Sequence, residues 1–192
     1  MSMELLKERI IRDGLAIGTE IVKVDSFLNH QLDVAFLYEL GAEFYRRFVD
    51  TQPDKILTME ASGIPVAVLT ALHFNNAPVV FAKKAAPSTM TEGFYIAEVT
   101  SFTKGVISQA RVSRKFLNAG ERILIIDDFL AHGDAALGLI TLVEQAGAIV
   151  LGVGAVIEKE FQNGGGRVRE RGYRVESLAI IKEITEGKII FK

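Results

Sequence analysis

No stretch constrains this chain more than Arg122-Ile-Leu-Ile-Ile-Asp-Asp-Phe-Leu-Ala-His-Gly-Asp-Ala-Ala136. Ile123 to Ile126 offer no polar face, so as a strand they need cover on both sides, the condition found at the centre of a parallel sheet. Two carboxylates then stand at the strand's C-terminal end, where open α/β sheets bind ligands. Two acids there cost stability unless something binds them. Phe129 to Ala135 turns through Gly133 into a helix start, whose unpaired N–H groups and positive dipole end favour a phosphate. One strand, turn and helix thus supply a phosphate cradle and two acceptors for adjacent hydroxyls. That combination suits a ribose 5-phosphate, with Asp127 and Asp128 on the 2- and 3-hydroxyls. Spacing alone also allows the two acids merely to cap the turn.

The rest of the chain is compatible with such a sheet. Leu32, Phe36, Leu40, Phe44 and Phe48 recur every four positions, with charged residues between them, and read as an amphipathic helix over 32–48. Lys55 to Met59 reads as a strand, Glu60 to Gly63 as a tight turn, and Ile64 to Phe74 as a helix with Pro65 near its start. Pro78 to Ala82, Glu121 to Asp128 and Ile149 to Ile157 repeat the strand pattern, and Gly133 to Gly147 reads as a capped helix. Short apolar runs alternating with helices predict an α/β fold, a parallel sheet with helices on both faces. Ala85 to Lys115 breaks the alternation: a polar loop, with Ala85 to Gly93 free to serve as a lid or as surface slack, leads into a β-hairpin around Thr103-Lys-Gly105. No repeat or linker divides residues 1–192, so a single domain is expected.

Composition removes several classes of function. The 192 residues carry 22 Lys+Arg against 24 Asp+Glu, a formal charge of -2, so no whole-molecule field attracts nucleic acid or anionic lipid. Any anion site must be built locally. Cys is absent, which excludes a disulfide framework, a thiolate nucleophile and a cysteine zinc site, and is compatible with a cytoplasmic location. Met1 to Asp13 carries Glu4, Lys7, Glu8 and Arg9 and is no signal peptide core, and Ile149 to Ile157 is too short to span a bilayer, so no membrane partner is expected. His30, His73 and His132 are not spaced as a metal cluster. Arg167-Val-Arg-Glu-Arg171 after Gly164-Gly-Gly166 reads as a solvated loop, since Glu170 breaks the basic run.

Asp-Asp after a hydrophobic strand, followed by a small-residue glycine loop, is similar to the phosphoribosyl pyrophosphate (PRPP) motif of type I phosphoribosyltransferases. Lys23-Val-Asp-Ser-Phe-Leu-Asn-His-Gln-Leu-Asp33, Ser101-Phe-Thr-Lys104, Val156-Ile-Glu-Lys159 and Gly172-Tyr-Arg-Val-Glu-Ser-Leu-Ala179 resemble the bacterial xanthine phosphoribosyltransferases more specifically. The resemblance covers essentially the whole chain. It implies the type I phosphoribosyltransferase fold, with a small hood over the base from about 1–30 and 160–192. It also implies transfer of phosphoribose from PRPP to xanthine, giving xanthosine 5-monophosphate and pyrophosphate. Guanine or hypoxanthine is the alternative base. A non-catalytic PRPP-sensing regulator ranks lower, because the roughly thirty residues before the first long helix are too few for a winged helix.

Carried over residue by residue, the resemblance puts the 5-phosphate on Ala131, His132, Gly133, Asp134 and Ala135 and the ribose hydroxyls on Asp127 and Asp128. Pyrophosphate falls to Ala61, Ser62 and Gly63 with Lys83 and Lys84, and xanthine to Val22, Asn29 and Lys159. Read without it, Ser62 can be a plain helix N-cap, Asn29 likewise, Lys159 a surface residue paired with Glu158 or Glu160, and Lys83 and Lys84 a solvated strand end. The resemblance further implies Mg²⁺ held mainly through PRPP, with no metal site from protein alone, and a homodimer. Phe74, Phe81 and Phe102 beside Lys83 to Ser88 fit an interface rim or ordinary core. Two positions depart from the family pattern: His132-Gly133-Asp134 stands where Asn-Gly-Gln or a Thr-containing loop is usual, and Val22 where Leu is. Asp134 beside a phosphate is a like charge, so its side chain is expected to point away, while His132 reads as a turn residue.

Overall fold

A computed structural model describes residues 3–84, 93–101, 106–185 and 187–192. Lys55–Met59 (β3), Val79–Ala82 (β4), Arg122–Leu130 (β7), Ile149–Lys159 (β8), Val175–Thr185 (β9) and Lys188–Phe191 (β10) form one sheet in the order β10-β9-β8-β7-β3-β4. All neighbours are parallel except β9 and β10. As the apolar run demands, β7 is covered on both faces. Leu124 and Ile126 enter one core with Leu37, Leu40 and Phe44 of α2 (Val34–Arg47), Phe48 at its C-cap, and Val66 of α3 (Gly63–His73). Ile123 and Ile125 enter the other, with Leu139, Ile140 and Val143 of α4 (Asp134–Gln145). The strand period of two therefore divides a single run between two cores.

The expected elements are present with small differences that have local causes. Helix α2 starts at Val34 because the Asp33 carboxylate accepts the Phe36 N–H at 3.1 Å, which leaves Leu32 outside and exposed. Gly133, at φ +88°, turns the chain into α4 in a conformation that glycine adopts freely. The expected hairpin is β5 (Phe94–Ser101) and β6 (Val106–Ser113), antiparallel and over the α4 face. Residues 85–92 of the proposed lid, and Phe102 to Gly105, lie outside the described residues.

Residues 3–29 supply α1 (Met3–Asp13), the antiparallel pair β1 (Leu15–Ile17) and β2 (Ile21–Lys23), and one wide helical turn over Asp25–Asn29. From residue 160 onward come a short 3₁₀ turn (Glu160–Gln162), helix α5 (Gly164–Glu170), and then β9 and β10, which lengthen the main sheet. Among the described residues no helix is long and apolar enough to cross a membrane.

Two glycines seat α2 on the sheet. A Cβ on Gly152 would meet the Phe48 ring at 2.7 Å, and one on Gly154 would meet the Phe44 ring at 2.8 Å and Ile126 Cδ1 at 2.6 Å. The strand thus lacks side chains where the helix inserts its phenylalanines. Gly154→Val is expected to lose about 1–3 kcal/mol of stability in urea unfolding, since two rings and an isoleucine must move. An unchanged midpoint would show that the helix packs less closely.

Candidate active site

The sheet reverses direction between β3 and β7: the chain runs outward from β3 to β4 on one side and from β7 through β8 to β9 on the other. The C-terminal ends of β3 and β7 consequently flank a crevice, the usual ligand site of such sheets. From β3 the chain passes through Glu60 to Ser62 into α3, and the Glu60–Ala61 peptide is cis. Glu60 fixes this turn to β4: its N–H donates to the Ala82 carbonyl at 3.1 Å, and its carboxylate accepts the Lys84 N–H at 2.7 Å. Ser62 precedes α3 with no side-chain capping bond, so capping does not account for its hydroxyl. Gly63 is pressed against the acids, since a Cβ there would fall 2.1 Å from Thr58 Oγ1 and 2.3 Å from Asp127 Oδ1.

Asp127 is buried at the end of β7, and its Oδ1 accepts the Asp128 N–H at 3.0 Å. Burial first, and then the neighbouring Asp128 charge, push its carboxyl well above the ordinary carboxylate range, while Lys84 pulls the other way. Asp128 Oδ2 accepts from Asn29 Nδ2 at 2.5 Å. Asn29 is the last residue of the wide turn, and does not cap α2, which Asp33 does. Its Oδ1 is buried without a partner, beside the Thr58 hydroxyl as another unmet polar group of this region. Neither acid caps the following helix, as Gly133 precedes α4 without any side-chain bond.

The loop Ala131–Gly133 is held from outside the crevice. Its carbonyls accept from Gly164 N (2.9 Å), Arg167 Nη1 (2.5 Å) and Leu137 N (2.8 Å) in turn. Asp134 does point to a cation, pairing with the same Arg167 nitrogen at 3.2 Å. These contacts overturn the solvated-loop reading of 164–171. Gly164 to Glu170 is a helix, with Arg167 on the His132 carbonyl and Asp134, Arg169 on the buried Glu158, and Arg171 just beyond on Glu144. The triple glycine hid it, because glycine disfavours helices, yet Gly164 and Gly165 sit where a Cβ would strike the loop and Glu158.

Lys159 is the last residue of β8. Its ammonium donates to the Glu20 carbonyl at 2.7 Å and lies 5.6 Å from the Phe129 ring centre, in cation–π range. Burial lowers its pKa, against the pull of Glu20. It is not the surface partner of Glu158 or Glu160, which pair instead with Arg169 and Ser177, and with Lys192. Val22 is buried in β2. Lys84 sits near Asp127, whereas Lys83 turns to Phe81 and lines a cleft of about 380 Å³ at the β4–β6 edge. Of the three rim phenylalanines, Phe74 is core, against Tyr45, Phe81 is exposed, and Phe102 lies outside the described residues. Among the described residues no group of three acids or histidines is gathered to hold a metal. A carboxylate pair and the Asn29 amide therefore meet at the C-terminal end of β7, with the half-buried Lys159 ammonium over the ring of Phe129, the residue after the acids.

Residues 23–188 match the phosphoribosyl transferase domain family. The chain belongs to the phosphoribosyltransferases. It is 55% identical to the xanthine phosphoribosyltransferase of Clostridium novyi and 52% identical to that of Clostridioides difficile, each over 190 residues, 99% of this chain and 100% of the relative. The crystal structure of adenine phosphoribosyltransferase from Rhodothermus marinus superposes with a TM-score of 0.72 over 93% of this chain and 98% of that one, at 22% identity. That likeness establishes the fold, the type I architecture that the Asp-Asp motif implied.

For a phosphoribosyltransferase site built around a buried acid, stability and pH should be linked. With the folded-state pKa of Asp127 raised, its ionisation is disfavoured in the folded chain, so stability is highest below the ordinary carboxylate pKa and falls as pH rises through the folded value. Asp127→Asn, which keeps an acceptor for the Asp128 N–H, should raise the melting temperature at pH 7.5, and the gain should vanish by pH 4. An equal melting temperature at both values would show that Asp127 carries no such burden.

Proposed function

We propose that the protein transfers the 5-phosphoribosyl group of PRPP to xanthine, releasing xanthosine 5-monophosphate and pyrophosphate, in cytoplasmic purine salvage. What supports this reading is the contact of Asn29 with Asp128, and of Lys159 with the ring of Phe129 next to it, in a chain 55% and 52% identical to named xanthine phosphoribosyltransferases. Ala131 to Ala135 hold the 5-phosphate through backbone amides, and Asp127 and Asp128 accept from the ribose hydroxyls. Ala61, Ser62, Gly63 and Lys84 receive the pyrophosphate, with Lys83 at the rim. C1 gains oxocarbenium character as its bond to pyrophosphate breaks and the bond to the base nitrogen forms. Mg²⁺ bound mainly through PRPP would supply charge neutralisation for the leaving group, and the half-buried carboxylate of Asp128 is a hard oxygen donor of the kind it would take.

The base reading rests on polarity. Asn29 cannot reverse its amide, because that would set its oxygen against the Asp128 carboxylate, so Oδ1 is left as an unmet acceptor. Once the ribose hydroxyls occupy Asp128, the side chain is released toward the base. Xanthine carries an N–H at ring position 3 where hypoxanthine and guanine have a bare nitrogen, and an acceptor favours the N–H. Lys159 donates to the 6-oxo group that all three share, and the apolar Val22 bounds the ring.

Incubation with PRPP, Mg²⁺ and each purine in turn tests the assignment, and turnover of guanine or hypoxanthine in preference to xanthine would replace it. Asp127→Asn with Asp128→Asn should lower kcat/KM for PRPP on the order of a hundredfold while the chain stays folded, two charge-assisted bonds having been weakened. Lys159→Met should weaken every 6-oxopurine, whereas Asn29→Ala should cost xanthine more than hypoxanthine. Equal losses in Asn29→Ala would remove it from the discriminating role.

We also propose a homodimer. Phe81, Tyr38, Tyr45, Val68 and Leu72 are large apolar side chains left in solvent, and Phe81 adjoins Lys83. Because Lys84 lies near Asp127 of its own chain, mixing inactive Lys84→Ala and Asp128→Asn subunits should restore no activity; recovery of up to about a quarter of wild-type activity, from half the dimers being mixed and half their sites intact, would instead put Lys84 in the partner's site. A monomer by light scattering would end this part of the reading.

A further inference from the structure

An acid is an unexpected neighbour for a phosphate, and Asp134 opens the helix whose N-terminus faces one. The structure shows how this chain tolerates it. A single guanidinium nitrogen, Arg167 Nη1, reaches both the His132 carbonyl at 2.5 Å and Asp134 Oδ1 at 3.2 Å. The first contact turns that peptide's oxygen out of the crevice, so that loop amides rather than carbonyls are presented to an anion. The second neutralises the carboxylate. Asp134's side chain is 17% exposed against 40% for Arg167, so the acid is the less solvated partner and has little water to screen it once Arg167 is gone.

The approach is built in by Gly164. A Cβ there would fall 2.3 Å from the Ala131 carbonyl oxygen and 2.5 Å from the Gly133 nitrogen, so only glycine lets α5 come this close. Arg169, two residues beyond Arg167, pairs at 3.1 Å with Glu158, buried beside Lys159, and anchors the other side of α5 to β8. Helix α5 is thereby fixed at two ends of the crevice, with Arg167 as its contact to the phosphate loop.

We propose that Arg167 is a positioning residue for the 5-phosphate site, making an acid-bearing loop able to hold a phosphoryl group by aiming its amides and cancelling the charge of Asp134. This rests on the reading of Ala131 to Ala135 as the phosphate loop. Steady-state kinetics with PRPP and xanthine, alongside thermal melting, test it. Arg167→Met keeps the apolar stem and should raise KM for PRPP on the order of tenfold, while KM for xanthine at saturating PRPP stays within about twofold. Adding Asp134→Asn to Arg167→Met should lower that raised KM by about threefold or more, because no uncompensated charge is left to repel the phosphate. Arg167→Lys should fall between wild type and Arg167→Met, its single ammonium replacing the charge but not the planar reach. If Arg167→Met does not fold, Arg167→Gln with and without Asp134→Asn makes the same comparison, since it too leaves the carboxylate uncompensated.

A merely structural role gives a different pattern: the double variant is no better than Arg167→Met, and the loss follows the melting temperature for both substrates alike. That pattern, or a wild-type KM for PRPP in Arg167→Met, overturns the proposal. Gly133→Ala separates it from the reading beneath it, since its Cβ would sit 3.0 Å from Gly164 and disturb the loop directly. Lost PRPP affinity in Gly133→Ala alone discards only the role of Arg167. Unchanged affinity in both discards the phosphate loop itself.

Discussion

A carboxyl removed from water at the end of an interior strand is the costly feature around which this protein is arranged. Asp127 is buried, beside a second acid, and offset in the free chain by one backbone N–H and by a nearby lysine. A sheet selected for stability alone would place an apolar residue here. The acid is retained where a ligand's hydroxyls can complete its hydrogen bonds, and the surrounding architecture keeps it available. Gly63 has no Cβ to crowd it, Thr58 sets an unmet hydroxyl beside it, and Asn29 donates to its neighbour Asp128. Stability withheld in the free chain becomes affinity in the complex.

The same logic links distant parts of the chain. Residues 3–29 matter to the sheet because their last turn delivers Asn29 to Asp128, and Glu20 orients Lys159 through its carbonyl. Residues 164–170 matter because they hold the loop Ala131–Gly133 from behind. Glu158 and Lys159, adjacent in sequence and opposite in face, divide the work. Glu158 anchors α5 through Arg169 and accepts from Ser177 of β9, and Lys159 reaches the Glu20 carbonyl and the Phe129 ring. Strand alternation alone produces that division.

How much of this the sequence disclosed follows the range of the forces involved. The central strand, the phosphate turn and the helices α2, α3 and α4 were legible because hydrophobic period and glycine placement act locally. Helix α5 was not, since three glycines argue against a helix and only the tertiary approach of Gly164 to Ala131 and of Gly165 to Glu158 explains them. Strand β9 was invisible as a strand because it mixes Glu176, Ser177, Lys182 and Glu183 with its apolar residues, and Ser177 is drawn in by a buried carboxylate 19 positions away. Lys83 and Lys84 are indistinguishable in sequence, yet strand alternation sends one to the sheet edge and the other toward Asp127. For Phe74, periodicity could not choose between rim and core, and packing against Tyr45 does.

If the acids ending β7 are held unfavourably so that a ribose phosphate can satisfy them, ligand should stabilise the chain through them. Thermal melting with and without Mg²⁺ and PRPP, in the wild type and in the Asp127→Asn, Asp128→Asn double variant, tests this directly. A large ligand-induced rise is expected in the wild type, by mass action on the folded state, and a rise reduced to a small fraction of it in the variant. An equal rise in both proteins would place the ligand's binding energy elsewhere and contradict the claim.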